Sequence, residues 1–206
     1  MTELRYINMW NKKIKNNKKK DNKIYLVTSS VGGEGKTFIA SNLAITFAKS
    51  GKKTLILGAD LRKPKLFIDF SSANKIGLSS YLTSDKTTSE IITTTKTDNL
   101  DIITSGPVPP NPAELLVKDK FETLLMDLKN KYDVIILDSP PLGLVADSLL
   151  LMDYVNATLF IVRQGFTKKG LLPYVDDLDK KGRVKNVQLV FNDVKAGSGV
   201  YGYSNY

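Results

Sequence analysis

The 206-residue sequence contains no cysteine and no histidine. Disulfide bonds, thiol nucleophiles, cysteine-ligated metals and imidazole acid–base catalysis are therefore excluded. Long apolar runs are also missing: the stretch 142–152 is interrupted by Asp147 and is too short to span a bilayer. The N-terminus is polar and lysine-rich, unlike a secretory signal peptide. These absences predict a cytoplasmic protein whose chemistry depends on carboxylates, lysines, arginines, hydroxyls and a bound cofactor or metal ion.

Positive charge is concentrated in one segment. The chain has 30 basic and 21 acidic residues, a net charge of +9, and seven of the lysines lie between Asn11 and Lys23 beside one acid. Such a tract is either a solvated arm or a segment lying on anionic lipid, where each lysine contributes about 1 kcal/mol. The rest of the sequence has no basic patch interleaved with aromatic residues, so we do not expect a nucleic-acid partner. We expect a basic arm over 1–23, a catalytic domain over 24–195 and a flexible tail over 196–206.

Short apolar runs alternate with longer amphipathic segments from residue 23 onward. Several runs are apolar without interruption, as in strands of a parallel sheet that is covered on both faces. The alternation predicts an α/β fold with a doubly wound, mostly parallel sheet and helices on both faces. Strands are predicted at 24–29, 54–59, 100–105, 134–139, 157–162 and 187–192. Helices are predicted at 36–49, 112–130, 146–153 and 168–181, with a short one near 78–82.

The stretch SSVGGEGKTF (29–38) matches a phosphate-binding loop in which Ser30 replaces the first glycine. It follows a predicted strand and opens a predicted helix, which is the context that such a loop requires. Small residues let the backbone amides of 32–37 turn toward an anion. Lys36 would lie by the β- and γ-phosphates, and the Thr37 hydroxyl would bind Mg²⁺. The predicted nucleotide contacts in this loop are Gly32, Gly33, Glu34, Gly35, Lys36, Thr37 and Phe38.

Two further strand ends carry acidic residues. The run VIILD ends in Asp138, which is placed to hold Mg²⁺ as a Walker B aspartate. The run LILGADLRKPKL (55–66) should end at the same crevice, so that Asp60 and Arg62 face the phosphates. A turn cap at Asp138 and a surface ion pair near Asp60 are the alternatives. The predicted metal ligands are Thr37, Asp60 and Asp138.

Together these motifs resemble the bacterial tyrosine kinase family associated with capsular and exopolysaccharide synthesis. The matching segments are the phosphate loop, GADLRKP as the second motif (Walker A′), LDSPP as Walker B, SGPVPPNPAELL (105–116), and Asp147. The resemblance implies a P-loop fold of the MinD/ParA type, ATP and Mg²⁺ as cofactors, and Lys36, Asp60 and Arg62 as catalytic residues. It also implies that Asn192 meets the adenine edge.

The resemblance further implies how such a kinase is used. A tyrosine-rich C-terminus is phosphorylated between subunits in this family, and the tail here holds Tyr201, Tyr203 and Tyr206. The implied partners are other copies of the chain, in a ring or dimer, and a membrane polysaccharide co-polymerase segment in cis or in trans. The implied location is the inner face of the cell membrane, with polysaccharide assembly as the regulated process.

The sequence departs from the family pattern in two places. The second motif usually reads D-x-D, and its first aspartate, a proposed base, is Gly58 here. We expect a slower kinase or one with Asp60 as base, and we expect Gly58→Asp to raise tail phosphorylation. Thr2 stands where the family's subunit-docking helix has an arginine, which puts ring assembly in doubt.

Two other functions remain open from the sequence. One is a nucleotide-dependent assembly switch that has lost efficient phosphoryl transfer through Gly58. The other is an ATPase of the MinD/ParA type, whose signature is an extra lysine early in the phosphate loop. The corresponding residue here is Val31, which disfavours that function.

Overall fold

The computed structural model describes residues 23–66, 70, 73–117, 119–143 and 147–195. Its centre is a seven-stranded sheet in the order β3-β4-β2-β5-β1-β6-β7. All neighbouring strands are parallel except β3, which runs antiparallel to β4 at one edge. The strands are β1 (Lys23–Ser29), β2 (Thr54–Gly58), β3 (Thr93–Thr94), β4 (Leu100–Ile103), β5 (Val134–Asp138), β6 (Ala157–Arg163) and β7 (Val187–Asn192). The predicted α/β fold with a mostly parallel sheet is confirmed.

Helices cover both faces of the sheet. They are α1 (Lys36–Lys49), α2 (Leu78–Thr83), α3 (Thr88–Ile91), α4 (Pro112–Leu116), α5 (Asp119–Lys131), α6 (Asp147–Leu150) and α7 (Leu172–Lys180), with 3₁₀ turns at Met152–Tyr154 and Lys169–Leu171. Two clusters of buried apolar residues result, one on each face. Among the described residues, no helix has the length and apolar character needed to cross a membrane.

The structure corrects several predicted boundaries. The segment 112–130 forms two helices, because it contains two helix starts: Pro112 in the first turn of α4 and Asp119 with Glu122 in the first turn of α5. The segments 146–153 and 168–181 each combine a short α-helix with a 3₁₀ turn. Strand β4 ends at Ile103 instead of residue 105, and the two-residue strand β3 was not predicted.

Helix α1 has a shape that brings the phosphate loop close to the sheet. It buries Ala40, Ala44 and Ala48 at a spacing of four, together with Leu43 and Phe47. Small side chains at this spacing let the helix axis approach the strands closely. Strands β2, β5, β1 and β6 are neighbours and parallel, so their carboxyl ends lie at the same edge of the sheet. The strand order changes direction within this group, which makes it a topological switch point. Open α/β sheets bind ligands at this position.

Candidate nucleotide-binding site

The loop between β1 and α1 has a backbone shaped to surround an anion. Gly33 and Gly35 have φ angles of 88° and 94°, which glycine adopts without strain. The Glu34 carboxylate turns inward, away from solvent: it accepts hydrogen bonds from Ser30 Oγ (2.7 Å) and from the Val31 amide (2.8 Å). Within the described residues, the amides of 32–37 donate no hydrogen bond to a protein acceptor. They remain available to phosphate oxygens.

Residues at or just after the ends of β6 and β7 hold this loop from the side. The Thr167 hydroxyl donates to Glu34 Oε1, Asn192 Nδ2 donates to the Glu34 carbonyl at 2.9 Å, and Arg163 Nη1 donates to the Gly33 carbonyl at 2.9 Å. Sequence reasoning missed Thr167 and Arg163. The available signal was topological, since β6 neighbours β1 and ends at the same edge of the sheet.

Glu34 is an ionised residue inside the loop. Burial alone would raise the pKa of its carboxyl group, but hydrogen bonds from Thr167, Val31 and Ser30 outweigh burial and lower that pKa below its usual value of 4.5. The side chain is fully buried. Glu34 therefore shapes the loop through its carboxylate, while a nucleotide would meet its backbone amide.

Lys36, Asp60 and Asp138 lie close together in one cleft beside the phosphate loop. Burial lowers the pKa of Lys36, and the negative charges of Asp138, Asp60 and Glu34 oppose that shift. The Thr37 hydroxyl donates to Asp138 Oδ2 at 2.8 Å, so the first turn of α1 meets the end of β5. The cleft thus combines one ammonium group, two carboxylates and one hydroxyl.

The segment 58–64, hereafter the A′ loop, is fastened to β5. The amides of Ala59 and Asp60 donate to the Asp138 carbonyl at 2.8 and 3.1 Å. Asp60 Oδ1 accepts hydrogen bonds from the amides of Arg62 (3.1 Å) and Lys63 (2.9 Å). The Asp60 carboxylate thereby closes a turn of the backbone. The Arg62 guanidinium, which we predicted to face the phosphates, lies instead on Asp147, with hydrogen bonds of 2.6 and 3.0 Å.

The oxygen groups in the cleft suit a small, hard cation. The described residues hold no group of three or more acidic side chains that could bind a metal ion by themselves. Mg²⁺ usually keeps several waters and takes one or two carboxylates together with phosphate oxygens. Thr37 and Asp138, joined by their hydrogen bond, and the nearby Asp60 form such a set. The residues therefore fit a magnesium ion that is shared with a nucleotide.

Gly58 is packed against the end of β4. A Cβ atom added at Gly58 would lie 2.7 Å from Ser105 Oγ and 3.0 Å from the Ser105 amide nitrogen. Both distances are shorter than ordinary packing contacts, so a side chain at this position must displace Ser105. We therefore revise our prediction for Gly58→Asp: the added side chain must displace Ser105 before its carboxylate can act, so this change alone is not expected to raise the rate.

The remaining predicted residues lie as follows. Phe38 is half exposed, at 51%, on the first turn of α1, and Asn192 ends β7 beside the phosphate loop. Tyr201, Tyr203 and Tyr206, like Thr2 and all of the basic arm before Lys23, lie outside the described residues. Their predicted roles stay predictions.

Known proteins share this fold and these motifs. A family profile described as an AAA domain matches residues 22–189. The tyrosine-protein kinase YwqD of Bacillus subtilis is 39% identical over 147 residues, which is 71% of this chain and 62% of YwqD. The tyrosine-protein kinase CpsD of Streptococcus agalactiae is 33% identical over 91% of this chain and 82% of CpsD.

A solved structure agrees with these relatives. The kinase domain of the Escherichia coli tyrosine kinase ETK superposes with a TM-score of 0.83 and 32% identity, covering 98% of this chain and 79% of that domain. The chain therefore belongs to the family of bacterial tyrosine-protein kinases.

Proposed function

We propose that this chain is an ATP-dependent protein tyrosine kinase that phosphorylates its own C-terminal tyrosines, and that it regulates the polymerisation and export of a capsular or exopolysaccharide. The main support is the convergence of Lys36, Asp60 and Asp138 on the phosphate loop. Membership of a family whose relatives are named tyrosine-protein kinases supports the same activity. Tyr201, Tyr203 and Tyr206 are the proposed acceptors.

Phosphoryl transfer needs alignment and charge stabilisation more than covalent chemistry. The amides of 32–37 and the Lys36 ammonium would grip the β- and γ-phosphates. The tyrosine oxygen would bond to the γ-phosphorus as the bond from that phosphorus to the β–γ bridging oxygen breaks, releasing ADP. Mg²⁺, held by Thr37, Asp138 and Asp60, would neutralise charge on the phosphate oxygens. The family resemblance motivates this assignment of roles.

The phenolic proton needs an acceptor within the same cleft. Two amides occupy Asp60 Oδ1, so Oδ2 is the oxygen that can accept this proton directly or through a water. No second carboxylate stands at position 58. Asp60 is therefore the proposed base, and the transfer should be slow compared with a site that has two carboxylates.

Asn192 supports adenine as the base of the nucleotide. Its Nδ2 donates a hydrogen bond to the Glu34 carbonyl, so its Oδ1 is the atom that can accept a hydrogen bond from a ligand. Adenine presents an amino donor at its exocyclic position, whereas guanine presents a carbonyl acceptor there. An amide fixed in this orientation favours ATP over GTP.

The proposed setting is the inner face of the cell membrane, with further copies of the chain and a polysaccharide co-polymerase segment as partners. The lysine tract before residue 23 supports contact with anionic lipid. Self-association would bring one tail to the cleft of another copy. Phosphorylation adds roughly −1.5 to −2 charges per tyrosine, enough to weaken contacts between neighbouring tails.

A direct assay tests the kinase proposal. The purified full chain is incubated with Mg²⁺ and ATP, and its C-terminal peptide is analysed by mass spectrometry. We expect phosphate on Tyr201, Tyr203 or Tyr206, and its loss in Lys36→Met. Lys49→Met is the matched control, because it removes an exposed lysine from the opposite end of the same helix.

Other outcomes would identify a different function. Free phosphate with an unmodified tail would indicate an ATPase of the MinD/ParA type and refute the kinase proposal. Tight nucleotide binding with neither product would indicate an assembly switch, which the absence of a carboxylate at Gly58 would then explain.

A further inference from the structure

We infer that Arg62 and Asp147 act as a positioning pair, which holds the Asp60 carboxylate at the magnesium side of the nucleotide cleft. The inference rests on the proposed function for the identity of the cation, and it assigns Arg62 to a role other than contact with phosphate. Three sets of contacts support it.

The first is the ion pair itself. Arg62 Nε lies 2.6 Å from Asp147 Oδ2, and Arg62 Nη2 lies 3.0 Å from Asp147 Oδ1. Two parallel hydrogen bonds from a planar guanidinium fix orientation as well as distance. The Asp147 side chain is only 3% exposed, whereas that of Arg62 is 41% exposed. A buried carboxylate thus holds a partly exposed arginine.

The second set fixes Asp147 relative to the Walker B strand. Asp147 is the first residue of α6, and the next residue, Ser148, donates to the Pro140 carbonyl at 2.5 Å. The same carbonyl accepts a hydrogen bond from Thr28 Oγ1 at 2.9 Å. Because Pro140 lies two residues after Asp138, the start of α6 is tied to the end of β5.

The third set fixes Asp60 relative to Arg62. The backbone amides of Arg62 and Lys63 donate to Asp60 Oδ1, so any movement of the Arg62 backbone moves the Asp60 carboxylate. The Asp60 amide donates in turn to the Asp138 carbonyl. A closed circuit of contacts therefore runs from Asp138 to Asp60, through Arg62 to Asp147, and back to β5. Without the ion pair, the hydrogen bonds that join the described part of the A′ loop to β5 all lie at its start, and Leu61 adds only apolar packing against the core.

A positioning role and a phosphate-binding role predict opposite effects of Asp147→Asn. If Arg62 serves by touching phosphate, this change releases its guanidinium and should preserve or raise the affinity for a Mg²⁺-free nucleotide. If Arg62 serves by positioning Asp60, the change should weaken the contribution of Mg²⁺ and leave Mg²⁺-free affinity alone. The two roles are thus separated by binding alone, without any turnover.

The experiment measures ADP affinity by calorimetry with and without Mg²⁺ in the full chain. The variants are Arg62→Met, Arg62→Lys, Asp147→Asn and the double variant Arg62→Met/Asp147→Met. We expect Mg²⁺ to raise the ADP affinity of the unmodified protein, and we expect that gain to fall by about tenfold or more in Arg62→Met and Asp147→Asn, as for other residues that orient metal ligands. Arg62→Lys keeps the charge but loses the two-pronged geometry, and should retain only part of the gain.

Two control variants accompany the measurement of ADP affinity. Asp127→Asn disrupts a surface ion pair with Lys131 on α5, far from the cleft, and should leave the gain from Mg²⁺ unchanged. The double variant replaces the buried ion pair by apolar side chains, a change that proteins often tolerate. It can therefore be measured even if a single variant fails to fold. Hydrogen exchange of the nucleotide-free protein adds a second readout: the amides of Arg62 and Lys63 should exchange faster in Asp147→Asn.

The inference is overturned if folded Arg62→Met, Asp147→Asn and double variants all keep the full gain from Mg²⁺. It is also overturned if Mg²⁺-free affinity, Mg²⁺-bound affinity and thermal stability fall together, since that pattern describes a merely structural ion pair. The kinase proposal fails by a different result, namely nucleotide binding by the unmodified protein without tail phosphorylation. Binding measurements on the variants would still decide the role of the pair.

Discussion

Replacing Gly35 by alanine should distort the phosphate loop for two separable reasons. Gly35 has φ 94°, where a residue with a Cβ atom is destabilised by about 1–2 kcal/mol. The added Cβ would also lie 2.2 Å from Asn192 Nδ2, so the Asn192 side chain must move and give up its hydrogen bond to the Glu34 carbonyl. That bond contributes about 0.5–1.5 kcal/mol.

These terms combine to a loss of roughly 2–3 kcal/mol in the free energy of unfolding, of which the more rigid unfolded chain of the alanine variant recovers about 0.5 kcal/mol. For a chain of this length, the melting temperature should fall by roughly 4–8 °C. Urea denaturation followed by circular dichroism measures the free energy. Calorimetry should also show weaker ADP binding, because the amide of residue 35 faces the anion site.

Gly51→Ala is the matched control for backbone strain. Gly51 follows the end of α1 with φ 82°, and a Cβ added there would have no atom within 4 Å. It should therefore show the strain without the steric contact, and it should leave ADP affinity unchanged. Asn192→Ala completes the comparison, because it should destabilise the Gly35→Ala protein less than it destabilises the unmodified one. The reasoning is refuted if Gly35→Ala is no more destabilising than Gly51→Ala, or if Asn192→Ala has the same effect in both backgrounds.

Two further predictions concern Glu34 and Gly58. The pKa of Glu34 is lowered on folding, so its stabilisation is complete above its unfolded pKa of 4.5 and is lost as pH falls through the lower folded value. The difference in melting temperature between the unmodified protein and Glu34→Gln should hold steady near neutral pH and shrink below pH 4.5, and a constant difference in acid would contradict this. Gly58→Asp should lower thermal stability without raising tail phosphorylation, because Ser105 blocks the side chain. Gly58→Asp/Ser105→Gly should recover stability and phosphorylate faster; no recovery would show that the Ser105 side chain is not the obstacle.

The features that sequence reasoning predicted are those encoded locally. Strands β1, β2, β4, β5 and β6 are mostly apolar over four to seven residues, and their burial on both faces removes the usual alternation. The phosphate loop is likewise a local code, in which glycines permit positive φ angles before Lys36. Strand order could not be read in this way, but the meeting of strand ends follows from parallel topology alone, which is why the sequence led us to expect Asp60 and Asp138 near each other.

The features that were missed depend on pairs distant in the chain. Arg62 and Asp147 are 85 positions apart, and Thr167 lies 133 positions from Glu34. The local sequence around each of these residues does not indicate which distant residue it will contact. Arg62 was expected at the phosphates because its segment ends at the same edge of the sheet as the phosphate loop, but its guanidinium lies on the buried Asp147 carboxylate. Long-range hydrogen bonds of this kind decide orientation, whereas local patterns decide only which edge of the sheet a residue reaches.

The glycine at position 58 and the packing of Ser105 are best understood as one feature of the cleft. Gly58 pairs with Asp138 in the sheet, and its missing side chain is what allows Ser105 to approach β2 so closely. The carboxylates whose charge acts on Lys36 are then Asp138, Asp60 and Glu34, and Glu34 is bound within its own loop. Fewer carboxylates facing the phosphates means less repulsion of a polyanion and one fewer acceptor for a proton. The cleft should therefore bind nucleotide well while depending on Asp60 for proton removal, which makes the orientation of that one carboxylate the limiting feature of the site.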